Sequence, residues 1–144
     1  MLSYIEGKVK TIGKDFLALL VSGLGYKIYT GEALLRKVKI GEGLELFLYD
    51  HVYEDGHDLF GFLTEEELDF FQELDNVNGV GPRSALLIVS KYRPEELRQS
   101  ILRGETHLLT KISGIGKKTA GRIVLELKGK LADDERPHTE SDEE

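Results

Sequence analysis

The chain has 144 residues, 40% of them hydrophobic and 31% charged, with a formal net charge of −7; that is enough apolar sequence for one or two modest cores and too much for general disorder. The absence of cysteine excludes disulfides, thiolate chemistry, iron–sulfur clusters and Cys-ligated zinc. The longest apolar run, Phe16–Val21, is far too short to span a bilayer and the first residues lack the basic-then-apolar pattern of a secretory signal, so a cytoplasmic protein with no membrane partner is expected.

Up to about Leu63 the pattern is one of short strands separated by glycine turns. Phe16–Val21 is a continuous apolar run and Tyr26–Thr30 alternates; Leu44, Leu46 and Leu48 alternate with Glu45, Phe47 and Tyr49. Gly13, Gly23, Gly25, Gly31, Gly41, Gly43 and Gly56 punctuate them. Five or six strands at this spacing predict a small barrel, OB-type ahead of SH3-like, although strand count alone does not separate the two. At Thr64 the period changes. Thr64 and Glu67 form a capping box, with Leu63 and Leu68 at the staple positions, so a helix is predicted from Glu65. Further helices are predicted after Gly81, at Pro94, near Glu105 and after Gly116, with Ile123, Leu127 and Leu131 marking a buried stripe on the last. The fold class is therefore α+β. It comprises a barrel domain (1–63), an all-helical domain (64–132) and, from Asp133, an acidic tail or linker start (133–144).

The negative total hides an asymmetry. Residues 1–70 carry seven Lys/Arg against thirteen Asp/Glu, residues 71–132 eleven against six, and residues 133–144 one against seven. The helical segment is basic, and acidity elsewhere does not cancel a local anion-binding surface beyond a Debye length of about 8 Å.

That basic segment contains a duplication. Val77, Asn78, Gly79, Val80, Gly81, Pro82, Arg83, Ser84, Ala85 and Ile112, Ser113, Gly114, Ile115, Gly116, Lys117, Lys118, Thr119, Ala120 align at an offset of 35 residues. Each copy is a tight turn feeding a helix N-terminus, where free N–H groups face an incoming anion. Gly79, Gly81, Gly114 and Gly116 are expected to take positive φ and let the backbone approach a phosphate. Arg83, Lys117 and Lys118 supply charge, and Ser84 and Thr119 supply hydroxyl donors. A single copy could be no more than a convenient interhelical turn; two in register, with their cations, point to paired phosphate cradles and a nucleic-acid ligand. None of these groups reads a base.

The two segments resemble paired helix-hairpin-helix motifs, and the chain as a whole is similar to the RuvA family of Holliday-junction-binding proteins. The likeness covers nearly everything before the tail. It includes the opening Met1–Gly7 strand, the Gly23, Leu24, Gly25, Tyr26 turn, the Leu59, Phe60, Gly61, Phe62 strand end and both hairpins after a barrel. The resemblance implies an OB barrel followed by a tandem helix-hairpin-helix domain and a fourfold homotetramer. It also implies a role in recombination and repair, branch-migrating four-way junctions beside the hexameric ATPase RuvB, with the resolvase RuvC as a further partner. Members of the family continue through a linker into a small helical domain that contacts RuvB. This sequence ends where that linker would begin, so junction binding is expected with weak or missing ATPase stimulation.

Between two barrel strands lies the carboxylate-rich stretch His51–Asp58. In RuvA-like proteins an acidic pin occupies this loop, and Glu54 and Asp55 match it; such pins would repel phosphates, hold strands apart and disfavour ordinary duplex. The residues alone also allow a solvated hairpin tip, or a metal held by His51, Glu54, Asp55, His57 and Asp58, although that spacing fits no established ligand set. His107 and His138 are isolated and are assigned no chemistry. The Tyr and Phe residues fall at structural periods and are read as packing, not as a base-stacking platform.

Two other functions remain in view. One is a helix-hairpin-helix subunit of a different repair complex. The other is a DNA glycosylase or lyase whose nucleophile would be Lys118; such enzymes also need an aspartate in an apolar context about twenty residues on, whereas Asp133 and Asp134 open an acidic run and no base-flipping pocket is evident. There is no Walker-type loop. The chain is therefore expected to be a non-enzymatic DNA-binding component with no cofactor and no metal, any motor residing in RuvB.

Overall fold

The computed structural model describes residues 1–133; residues 134–144, with Asp134, His138 and nearly all of the expected acidic tail, lie outside them. Five strands come first, β1 (Tyr4–Ile12), β2 (Phe16–Val21), β3 (Leu24–Tyr29), β4 (Gly43–Tyr53) and β5 (Gly56–Phe62). They close into a barrel in the order β1-β2-β3-β5-β4, with β3 parallel to β5 and the other neighbours antiparallel. This is the OB-type arrangement. The first strand runs further than Met1–Gly7 would allow, reaching Ile12 through an irregularity between Val9 and Thr11. The turn between β2 and β3 is Ser22–Gly23, both at positive φ (50° and 86°), as a two-residue hairpin of this twist requires. Leu24 and Gly25 already belong to β3.

The apolar run of β2 alternates in the folded chain: Leu17 and Leu19 are fully buried while Leu20 is exposed. With Ile5, Val9, Ile28, Leu46, Leu48 and Leu59 they fill the barrel. A short helix not anticipated from the sequence, α1 (Glu32–Lys37), sits between β3 and β4 and adds Leu34 and Leu35 to this core, with Val38 just beyond it. At six residues it is less than two turns long, too short to display a 3.6-residue period. Its six residues are all good helix formers, and burial of the leucine pair fixes it against the barrel.

The helices follow as α2 (Glu65–Asp75), α3 (Pro82–Lys91), α4 (Pro94–Leu102), α5 (His107–Thr110) and α6 (Lys117–Asp133). The capping box forms: Thr64 Oγ1 accepts from the Glu67 N–H at 3.1 Å and the Glu67 carboxylate accepts from the Thr64 N–H at 3.2 Å. Asp133, expected to open the tail, is instead the last residue of α6. Ile123 and Leu127 are buried and Leu131 packs beside them. Among the described residues no helix is long and apolar enough to cross a membrane.

Barrel and helices share a seam. β5 is buried on both faces: Leu59 belongs to the barrel core, whereas Phe60 and Phe62 belong to the helical core. Phe71 of α2 meets Phe60, Phe62 and Tyr49 with ring centroids at 5.2, 4.9 and 5.3 Å. Gly61 faces inward, and a Cβ there would lie 2.7 Å from Ile28 Cγ2 and 2.9 Å from Leu46 Cδ1. Gly61→Val therefore overfills the barrel and should lower unfolding stability by about 1–3 kcal/mol, read as a reduced denaturation midpoint at unchanged m-value.

Candidate nucleic-acid interface

The duplication visible in the sequence is a duplication of backbone geometry. In the first turn the Val77 N–H donates to Leu74 O (3.1 Å), Val80 to Val77 O (3.0 Å) and Ala85 to Gly81 O (3.0 Å). In the second, Ile112 donates to Leu109 O (3.1 Å), Ile115 to Ile112 O (3.0 Å) and Ala120 to Gly116 O (2.9 Å). Each bond has its counterpart 35 residues on. The anchors correspond too: Val77 and Ile112, Val80 and Ile115, Ala85 and Ala120, and Ile88 and Ile123 are all buried. Apolar anchors inside thus present the polar rim outside.

The rim is open. Gly79, Gly81, Gly114 and Gly116 are all exposed. Only the first glycine of each turn has positive φ, Gly79 at 95° and Gly114 at 91°. This corrects the expectation for the other two: Gly81 is an extended N-cap (φ −94°, ψ 175°), and Gly116 is likewise not among the positive-φ residues. A Cβ on Gly81 or Gly116 would meet nothing within 4 Å, so the space above them is unfilled by the protein itself. The amides of Arg83 and Ser84 on α3, and of Lys117, Lys118 and Thr119 on α6, lie in first helical turns where no intrahelical carbonyl is available to them. No side chain caps α3. Two helix N-termini, each with about half a positive charge, therefore face outward.

The hydroxyls do not serve their own turns alone. A Cβ on Gly79 would lie 3.8 Å from Thr119 Oγ1, and one on Gly114 would lie 3.7 Å from Ser84 Oγ. Each hydroxyl therefore sits beside the glycine of the opposite turn, a reciprocal arrangement that joins both cradles into one surface. Sequence reading missed Arg122, whose Nη1 donates to the Asn78 carbonyl at 3.4 Å and so ties α6 to the first turn. Its signal was the i,i+4 spacing from Lys118, which sets both cations on one helix face.

The cations divide. Lys117 and Lys118 are exposed and, among the described residues, have no ion-pair partner. Arg83 is engaged: its Nη1 is 2.7 Å from Asp15 Oδ2 and its guanidinium lies 4.3 Å from the centre of the Tyr29 ring. Sequence position made it the equivalent of Lys118; the barrel beside it makes it different.

Glu54 and Asp55 form the two-residue turn between β4 and β5, with Tyr53 paired to Gly56, Val52 to His57 and His51 to Asp58. Both are exposed. The root of this hairpin is fixed by Asp50, whose side chain is only 7% exposed and accepts from His57 Nδ1 at 2.8 Å and from the Leu2 N–H at 3.1 Å. These bonds hold the Asp50 carboxyl below the usual carboxylate range, the His57 bond foremost. His57 is thus occupied with Asp50, and His51 with the rings of Tyr49 and Tyr53 at 6.0 and 5.6 Å. Among the described residues no group of three His, Cys, Asp or Glu is arranged to hold a metal. One face of β4 reaches the helices: Tyr49 meets Phe71 of α2 at 5.3 Å, and burial pushes up the carboxyl of Asp75, the last residue of α2, against the opposing pull of His51 and Tyr49. The strand carrying the acidic turn therefore packs against the helix that leads into the first cradle. His107, at the start of α5, is exposed and away from this network.

Residues 1–61 match the RuvA N terminal domain family and residues 71–130 the SAM-like helix-hairpin-helix tandem family. The chain is 42% identical over 132 residues to a protein of Rickettsia felis named Holliday junction branch migration complex subunit RuvA, covering 92% of this chain and 65% of that protein. It is 43% identical over 136 residues to the equally named protein of Clostridium perfringens, covering 94% of this chain and 68% of that one. The chain thus spans about two thirds of the length of these curated relatives. Two adjacent family matches in the order of the barrel and the duplicated turns, with this identity across nearly the whole sequence, show that the chain belongs to the RuvA family.

Proposed function

We propose that the protein binds four-way DNA junctions by their shape, not their sequence, as the DNA-holding component of a branch-migration complex whose ATPase is RuvB. The observation that carries this reading is the pair of superimposable turns, whose unoccupied amides and exposed lysines suit sugar–phosphate backbone and offer nothing that reads a base edge. The phosphate-binding set is Gly79, Gly81, Ser84, Gly114, Gly116, Lys117, Lys118 and Thr119, with Arg83 beside it. The chain itself acts by binding; its relatives carry the name of a branch migration complex subunit. Assembly is as a homotetramer, in line with apolar residues such as Leu24, Ile40 and Val52 left 61–69% exposed on the barrel domain. RuvC would act on the same junction. In that assembly Glu54 and Asp55 of each copy gather near the crossover, where their charge opposes a continuous duplex and favours separated strands.

Competition gel shifts of a synthetic four-way junction against linear duplex at physiological salt, with molar mass in solution, test the proposal; equal affinity for the two DNAs would end it. Within it, Gly116→Val should leave the protein folded, because a Cβ there meets no protein atom within 4 Å and the cost is confined to a poorer helix N-cap, while lowering junction affinity at least tenfold by occupying the space of the phosphate. Lys118→Ala should weaken binding and reduce the slope of log affinity against log salt by about one per protomer. For the acidic turn, Glu54→Gln combined with Asp55→Asn should raise duplex affinity relative to junction; an unmoved ratio would reduce this loop to a solvated turn.

A further inference from the structure

The two cradles are duplicated in backbone but not in what flanks them. In the second, Lys117 and Lys118 are exposed at the start of α6 with no ion-pair partner among the described residues. In the first, the position of Lys117 is taken by Pro82, which has no N–H to give, and Arg83 is turned to the barrel. Its guanidinium is bonded to Asp15 in the β1–β2 turn and stacked on Tyr29 at the end of β3. That pocket is itself built: Tyr29 meets Phe16 and Phe60 at 6.5 and 5.7 Å, and the Asp15 carbonyl accepts from the Thr30 N–H at 3.2 Å. At its other end α3 also touches the barrel segment closely, since a Cβ on Gly31 would collide with the Ser90 side chain. So α3 is held to the barrel at both ends, by a charged clamp at its N-terminus and a close approach at its C-terminus.

We infer that Arg83 is a positioning residue and not a phosphate ligand. It locks the first cradle to the barrel, so the second cradle supplies most of the charge-dependent grip, while the first sets the angle at which the barrel, and with it the Glu54–Asp55 turn, meets the DNA. This rests on the junction-binding reading above. A phosphate ligand and a positioning clamp make opposite demands on Asp15: removing the Asp15 charge would release a phosphate ligand and strengthen binding, but it would disable a clamp.

The test compares Arg83→Ala, Asp15→Asn, Asp15→Glu and the Arg83→Ala/Asp15→Asn double variant in binding titrations of junction and duplex over a range of salt. Arg83→Ala and Asp15→Asn should each leave the salt slope at the wild-type value and lower the junction-to-duplex affinity ratio by a similar factor, about three- to tenfold. The double variant should lose no more than either single one, and Asp15→Glu should retain the ratio. Hydrogen exchange without DNA supplies an independent reading, because the Thr30 amide bonded to Asp15 should exchange faster in Arg83→Ala. A salt slope reduced by about one per protomer in Arg83→Ala, together with tighter binding in Asp15→Asn, would overturn the inference and make Arg83 a restrained phosphate ligand. A wild-type protein without junction preference would overturn the junction reading instead, and the exchange measurement would still decide the clamp: unchanged Thr30 exchange overturns it.

Discussion

Everything in this molecule that could act on DNA depends on one strand being apolar on both sides. β5 buries Leu59 into the barrel and Phe60 and Phe62 into the helices, so two hydrophobic cores meet across a single backbone. Phe71 closes the seam against three aromatic rings. Fully burying side chains of this size stabilises by about 1.5–3 kcal/mol each, far more than any of the exposed ion pairs can supply. The strand that forms the seam also begins at the acidic turn, and α2, which packs on it, ends at the first cradle. A rigid seam therefore converts two separate elements, a repulsive tip and an attractive surface, into one body with a set spacing.

On the attractive side, duplication solves a geometric problem. A single helix N-terminus presents a few amides in one direction; two, related by the reciprocal placement of Ser84 beside Gly114 and Thr119 beside Gly79, present a continuous patch. Each turn is held from beneath by buried anchors, Ala85 and Ala120 among them. Since each hydroxyl lies beside the glycine of the opposite turn, a substitution in one cradle changes the surroundings of the other. Additivity of single substitutions across the two cradles is not expected.

How much of this was legible in the sequence follows from how local each feature is. The capping box at Thr64 and Glu67 lies within four residues, and the chain forms it as read. The repeat at 35 residues was visible because backbone demands, glycine above all, recur in kind. The OB-type barrel was inferred from strand spacing, but its helix α1 was not, since six residues carry no period even when, as here, each is a good helix former. Even in the turns the reading assigned positive φ to four glycines where two have it. The other two were recognised for the wrong reason: they leave room instead of bending the chain. The pairings of Arg83 with Asp15 and of Asp50 with the Leu2 amide escaped because the partners are 68 and 48 residues apart in sequence and adjacent only in space.

The same distinction explains how an acidic chain can hold a polyanion. Net charge is a property of the whole sequence, whereas a phosphate within a Debye length of Lys117 and Lys118 feels those lysines and two helix N-termini. The carboxylates of Glu54 and Asp55 lie at another point, the tip of a hairpin whose root is held by the hydrogen bonds of Asp50 to His57 and the Leu2 amide. On the proposed reading, separation of sign over distance is what would make the protein selective where uniform basicity would make it merely adhesive. A surface that only attracted would hold any duplex, and one that attracts at its flanks and repels at its tip favours DNA that can part its strands there.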